Sequence, residues 1–170
     1  MNWQHLCPSA IVDSFLCKIA EPSLEGWRYY HKEKKGYYVK YEIACAIGVP
    51  RIIWISGPWK LVDDGKLTEF SGLLDQLQEG ERMMGDKGYR HRDKWILCPI
   101  SGEKYELPRE DRARNYIVYS VRQTIERVIR RERNWGILNT EWVSSLDLHC
   151  LVVHVISKLI NFFLLFHDLG

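Results

Sequence analysis

Apolar positions along this chain recur with two periods, and the longest helical one runs from Asn115 to Arg133, NYIVYSVRQTIERVIRRER. Val118, Val121, Ile125, Val128 and Ile129 return at helical spacing, with no Pro or Gly between them. At ~100° per residue the five share an arc of about 100°, the width of a core-facing stripe. Tyr119, Arg122, Glu126 and Arg133 fall within roughly 60° of one another beside that arc. One carboxylate therefore stands at the border of a buried face, among cations and a phenol. Glu132 falls on the apolar arc itself, near the helix end, where water is expected to reach it. Two readings are open: an amphipathic helix with a solvated, salt-bridged face, or a helix whose Glu126 works in a site facing phosphate.

Upstream the period shortens to that of strands. Ala10-Ile11-Val12, leading through Asp13 to Phe15, Leu16 and Ile19, reads as a buried strand with a carboxylate at or near its end, closed by Glu21-Pro22-Ser23. An aspartate in such a run is costly unless a metal or cation stands near it, or unless it serves as a turn or helix cap. A polar, aromatic and basic loop over residues 23–37 precedes two strands, Val39 to Ile47 and Arg51 to Ser56, paired antiparallel through Gly48-Val49-Pro50. A loop with Asp63 and Asp64 leads to a helix expected from about Lys66 to Gln78, closed by Gly80. Met83 and Met84 begin a short strand that meets Gly85-Asp86-Lys87-Gly88-Tyr89, and Trp95 to Ile100 reads as another. Leu146 to Phe166 is the last helix. Asp147, His154, Lys158 and Asn161 give it a polar stripe, so amphipathic packing is expected and no membrane partner. His149 and His154 read as surface or satisfied core histidines. The order of elements predicts an α/β fold with a mixed sheet, with Asp13 and Asp86 at strand ends, where open α/β sheets place their sites.

Length and composition add bounds. A chain of 170 residues, 46% hydrophobic and 27% charged, suits one globular domain with a real core. The net charge of +2 is too small to argue nucleic-acid binding by itself. Its distribution says more: Arg122, Arg127, Arg130, Arg131 and Arg133 crowd one helix, and His31 to Lys35 form a second basic cluster. Five arginines over twelve residues repel one another unless an anion lies alongside, which points that helix at a DNA backbone with Arg130 closest to it. Cys7, Cys17, Cys45, Cys98 and Cys150 are odd in number and hold no C-x-x-C pair, which argues against a zinc site and a disulfide framework and for reduced, mostly buried thiols. No signal-peptide pattern opens the chain.

Three acidic residues on different elements, brought to one sheet edge, would form a cage for divalent cations. Mg²⁺ favours such hard oxygen ligands and keeps open positions for water and phosphate oxygens. A pair of ions about 3.5–4 Å apart can stabilise both the attacking and the leaving oxygen of a phosphodiester displacement.

The residues that make this cage also carry a family resemblance. They are Val12-Asp13-Ser14, Lys40-Tyr41-Glu42, Ile53-Trp54-Ile55-Ser56-Gly57-Pro58, Gly85-Asp86-Lys87-Gly88-Tyr89, and Val121-Arg122-Gln123-Thr124-Ile125-Glu126-Arg127-Val128. With them the chain resembles, over roughly residues 10 to 168, the catalytic domain of DDE-superfamily transposases, specifically the PIF/Harbinger-like group. The spacing Tyr119-x2-Arg122-x3-Glu126-x6-Arg133 is similar to a tyrosine-arginine-glutamate-lysine signature of related bacterial insertion-sequence transposases, with Arg in the last place.

The resemblance implies an RNase H-like fold, a central mixed sheet flanked by helices, that cuts DNA at transposon ends and joins the freed 3′-OH to a target. It implies Asp13, Asp86 and Glu126 as catalytic residues and Mg²⁺ or Mn²⁺ as the cofactor. It adds a further acidic ligand after Gly57-Pro58, with Asp64 the better match and Asp63 the alternative. It implies DNA as the partner of Arg122, Arg127, Arg130, Arg131 and Arg133, a possible separate DNA-binding partner protein, and a nuclear location. Residues 1–170 are read as one endonuclease domain without the N-terminal DNA-binding region of such transposases. Because the segment Trp59 to Lys66 departs from the family pattern, the alternative is an inactive or domesticated remnant that binds DNA or protein.

Overall fold

The computed structural model describes residues 8–90, 92–103 and 106–166, and strand β1 (Pro8–Ile19) is the axis on which they are built. β1 pairs antiparallel with β3 (Gly36–Ala46), from Ala10↔Ala46 to Ile19↔Tyr37. On its other side it pairs parallel with β5 (Arg82–Met84), which pairs parallel with β6 (Ile96–Leu97). β3 also holds β2 (Tyr30–His31) and β4 (Ile52–Trp59), both antiparallel. The result is one six-stranded mixed sheet flanked by helices. The same α/β arrangement is expected of an RNase H-like domain.

Alternation along the two central strands gives the sheet two distinct faces. Ile11, Phe15 and Cys17 of β1 and Val39, Tyr41, Ile43 and Cys45 of β3 look to one side. There they meet Val118, Ile125 and Val128 of helix α2 (Arg109–Arg133) and Val153, Ile156 and Ile160 of helix α4 (Leu146–Leu164). Ala10, Val12 and Ala44 look to the other side, where Leu73, Met83, Tyr89 and Ile96 form a second, smaller core. Helix α1 (Asp64–Ser71) reaches the sheet through β3, and a single turn, α3 (Gly136–Asn139), follows α2.

Several expectations change in the structure. Asp13 sits inside β1 rather than at its end, although β5 beside it stops at Met84. The helix expected to reach Gln78 ends at Ser71, because Gly72 (φ 82°) takes the left-handed conformation that closes helices. The strand expected over Trp95 to Ile100 keeps only Ile96 and Leu97 in the ladder, and Met83 and Met84 end their strand instead of beginning it. α2 starts earlier than its unbroken pattern, at Arg109. Glu132 does not reach water: it is fully buried, and Ser157 of α4 donates to its Oε1 at 2.7 Å.

His149 is a core histidine, stacked on Tyr41 with the Tyr41 hydroxyl 2.7 Å from its Nδ1, and burial pushes it down to about 4. The polar stripe of α4 is put to use at Asn161, whose amide bonds both the N–H and the C=O of Ile52 in β4 at 2.8 Å. The outward side of the same helix is apolar, with Leu148, Leu151, Val155 and Phe162 exposed, and by length and composition alone the helix could cross a membrane. Cys17, Cys45 and Cys98 are buried, Cys150 is half-buried, and all four are free thiols; Cys7 lies outside the described residues.

Candidate active site

The strand register sets the first two acids. β1 and β5 run parallel with Ile11 opposite Met84, so two residues further on Asp13 and Asp86 stand at the same level. Neighbouring strands lie about 4.8 Å apart, which brings the two carboxylates into each other's field. Burial pushes the Asp13 carboxyl up to about 6, the Asp86 and Asp64 charges add to that, and the Ser14 N–H and Arg122 oppose it. Ser14 N donates to Asp13 Oδ1 at 2.8 Å, and Gly88 N donates to Asp86 Oδ1 at 2.7 Å. Each carboxylate is thereby held by a backbone amide close to its own position in the chain.

The third acid comes from the start of α1. Asp63 is the helix cap, its Oδ1 accepting from Gly65 N and Lys66 N, which leaves Asp64 as the first helical residue. Asp64 Oδ1 accepts from Ser14 Oγ at 2.6 Å and from Lys40 Nζ at 3.0 Å. Its other oxygen looks toward Asp86 across Gly88. A Cβ placed on Gly88 would lie 2.9 Å from Asp64 Oδ2 and 3.0 Å from Asp86 Oδ1. Glycine at that position keeps open the space on which the two carboxylates converge.

Glu126 lies on α2, the helix that covers the Asp13 side of the sheet. Its Oε1 is 3.2 Å from Arg122 Nη2, and the Arg122 charge also reaches Asp13. Arg127, Arg130 and Arg133 are exposed further along α2, and Arg131 is half-buried. Arg130, Arg131 and Arg133 occupy the last turn, where cations also complement the helix dipole. Toward the other end of α2 a groove of about 400 Å³ is lined by Lys87, Leu107, Tyr116, Tyr119 and Gln123. Tyr119, which the helical spacing sets beside Arg122 and Glu126, is a half-exposed wall of that groove.

Asp13, Asp64 and Asp86 offer hard oxygen donors of the type that Mg²⁺ or Mn²⁺ takes, two of them converging over Gly88. Among the described residues no three His, Cys, Asp or Glu side chains stand together as a ready-made metal cage, and Glu126 is engaged by Arg122. Sequence reasoning missed the residues that hold the acids. Ser14 and Lys40 hold Asp64, and in the sequence they and Glu42 stand only as parts of the segments that carry the resemblance. The signal was present all the same: Lys40 and Glu42, two apart on a strand of buried residues, must share one face.

No curated protein and no solved structure matches the chain. The family model described as DDE superfamily endonuclease matches residues 12–161. That span takes in Asp13, Asp64, Asp86 and Glu126, and the chain belongs to the DDE superfamily endonuclease family.

Proposed function

We propose that this chain is a divalent-metal-dependent DNA endonuclease of transposase type, with Asp13, Asp64, Asp86 and Glu126 as its ligands. The observation that carries the reading is that Asp64 and Asp86 converge over Gly88 while Asp13, in the neighbouring strand, lies within the field of both. Such ions, when bound, stabilise the attacking and leaving oxygens of a phosphodiester displacement. The chain's own residues bind and orient. Asp13 and Asp86 hold their carboxylates on the backbone amides of Ser14 and Gly88. Glu126 joins the set by leaving Arg122, and the guanidinium then turns to a phosphate oxygen of the DNA. Arg127, Arg130, Arg131 and Arg133 lie along the backbone beyond it, giving sequence-independent affinity that falls steeply with salt. The reading includes the PIF/Harbinger-like group, a nuclear location and a separate DNA-binding partner protein that selects sites, all on the strength of the resemblance.

A second reading, a domain that binds DNA or protein without cutting, is favoured by one observation: Glu126 is paired with Arg122. One experiment separates the two. Millimolar Mg²⁺ or Mn²⁺ is expected to raise the melting temperature, since a ligand of the folded state stabilises it by mass action. Nicking of supercoiled plasmid should require the metal and collapse in Glu126→Gln while that variant melts like the parent. No metal-dependent shift and no nicking would leave the non-cutting reading. Nicking by Glu126→Gln at the parent's rate would remove Glu126 from the mechanism.

A further inference from the structure

We propose that Lys40 is a positioning residue for this site, holding Asp64 so that its free carboxylate oxygen faces Asp86. The inference rests on the metal reading of the acidic cluster and adds to it a residue that none of the acids reveals.

Lys40 lies on β3, on the face that looks toward α1. Its side chain is only 13% exposed, and its ammonium donates to Val62 O at 2.6 Å and to Asp64 Oδ1 at 3.0 Å. Both acceptors belong to the short segment that enters α1. The ammonium therefore fixes the helix start to the sheet and the Asp64 side chain to one orientation. Ser14 Oγ, 2.6 Å from the same Oδ1, closes the grip from β1. With Oδ1 taken twice, Oδ2 is the oxygen left to look across Gly88 at Asp86 Oδ1.

Two further observations assign Lys40 to this task rather than to DNA. A lysine this enclosed, with two acceptors inside the chain, does not present its charge to a phosphate on the surface. Glu42, its neighbour on the same face of β3, reaches the same helix, where Thr68 Oγ1 meets its Oε1 at 2.7 Å. Lys40 and Glu42 thus pin α1 at two points one turn apart, and Asp64 sits at the first. Groups that orient metal ligands from behind typically set affinity by about 10–100-fold.

The test is Mn²⁺ binding to the full chain, read from the electron paramagnetic resonance signal of free Mn²⁺ during titration, with unfolding followed by circular dichroism. Lys40→Gln is expected to weaken Mn²⁺ binding by about 10-fold or more while it still unfolds cooperatively without added metal. Lys40→Arg, which keeps a cation within reach of Oδ1, should recover most of the loss. In an Asp64→Asn background Lys40→Gln should cost nothing further, because the two changes remove one interaction.

Parental affinity in Lys40→Gln overturns the proposal, as does a loss that simply adds to that of Asp64→Asn. Tighter Mn²⁺ binding overturns it too, showing that the ammonium competes with the metal. Should Lys40→Gln fail to fold, Lys40→Met, which keeps the stem and removes the ammonium, takes its place. If neither folds, Lys40 is a folding residue and the proposal falls. If the parent itself binds no Mn²⁺ at millimolar concentration, the metal reading fails first and takes this inference with it.

Discussion

Two glutamates among the described residues, Glu42 and Glu132, are fully buried, and they lie on opposite faces of the same sheet. Each meets a helix-borne hydroxyl at 2.7 Å, Thr68 for Glu42 and Ser157 for Glu132; Ser71 and Trp54 also act on Glu42, whereas Glu132 leaves its second oxygen without a partner. Their surroundings differ. Glu42 sits opposite Ser14 in the ladder, two residues from Lys40, with Asp64 acting on its charge. Glu132 sits between α2 and α4 with the thiols of Cys17 and Cys45 within its field, and burial pushes it up to about 7. The same polar tether stands beside Lys40 and Asp64 on one face. On the other it joins two helices at a cost in stability. A buried acid is therefore not in itself a sign of a functional site; the acids and cations around it decide.

The largest effect expected from this contrast is on stability against pH. The folded chain holds the Glu132 proton to about pH 7, while the unfolded carboxyl releases it near 4.5. Its contribution is therefore complete below pH 4.5 and is lost as pH rises through 7, by up to about 3 kcal/mol. Denaturant unfolding at pH 5 and pH 8 should show that loss in the parent and a smaller one in Glu132→Gln. Equal slopes in the two proteins would mean that Glu132 is ionised at both.

Ser157→Ala comes next. It strips Glu132 of its donor and should cost ~1–3 kcal/mol at pH 8, the penalty of a buried acceptor left unmade. Mn²⁺ affinity should not move, because this tether lies on the other face from Lys40 and Asp64. A shift in affinity would show that the two faces are coupled.

Thr68→Val is the smallest and the sharpest. Removing the hydroxyl that meets Glu42 should cost about 1 kcal/mol, and Mn²⁺ binding should weaken about 3-fold as α1 loosens at its second anchor. Unchanged affinity would leave Glu42 a packing residue like Glu132.

Much of the α2/α4 face was legible in the sequence. The stripe of Val118, Ile125 and Val128 has a single helical period, and the run from Ala10 to Ile19 alternates around one carboxylate. Periodicity reports burial along a single element, and these residues obey it. Glu132 shows its limit: the pattern put it on the apolar arc, but only Ser157, 25 residues away, shows that the arc stays dry there. The α1 face was harder to read because its contacts run between elements. Asp63 and Asp64 are neighbours of equal chemistry; the resemblance favours Asp64, and the two amides capped by Asp63 supply the physical difference between them. Nothing in the strand around Lys40 announces that Val62 and Asp64, more than twenty residues away, surround its ammonium.

Asn161 of α4 clasps both backbone groups of Ile52 in β4, and Asn115 of α2 does the same to Ile100 just beyond β6. A carboxamide is a peptide group carried on a side chain, so each asparagine gives the backbone beside it the partner that another strand would supply. At Ile52 the outer margin of β4, which would otherwise be a template for a passing chain, meets a helix. A copy of this molecule approaching there finds those donors and acceptors already answered.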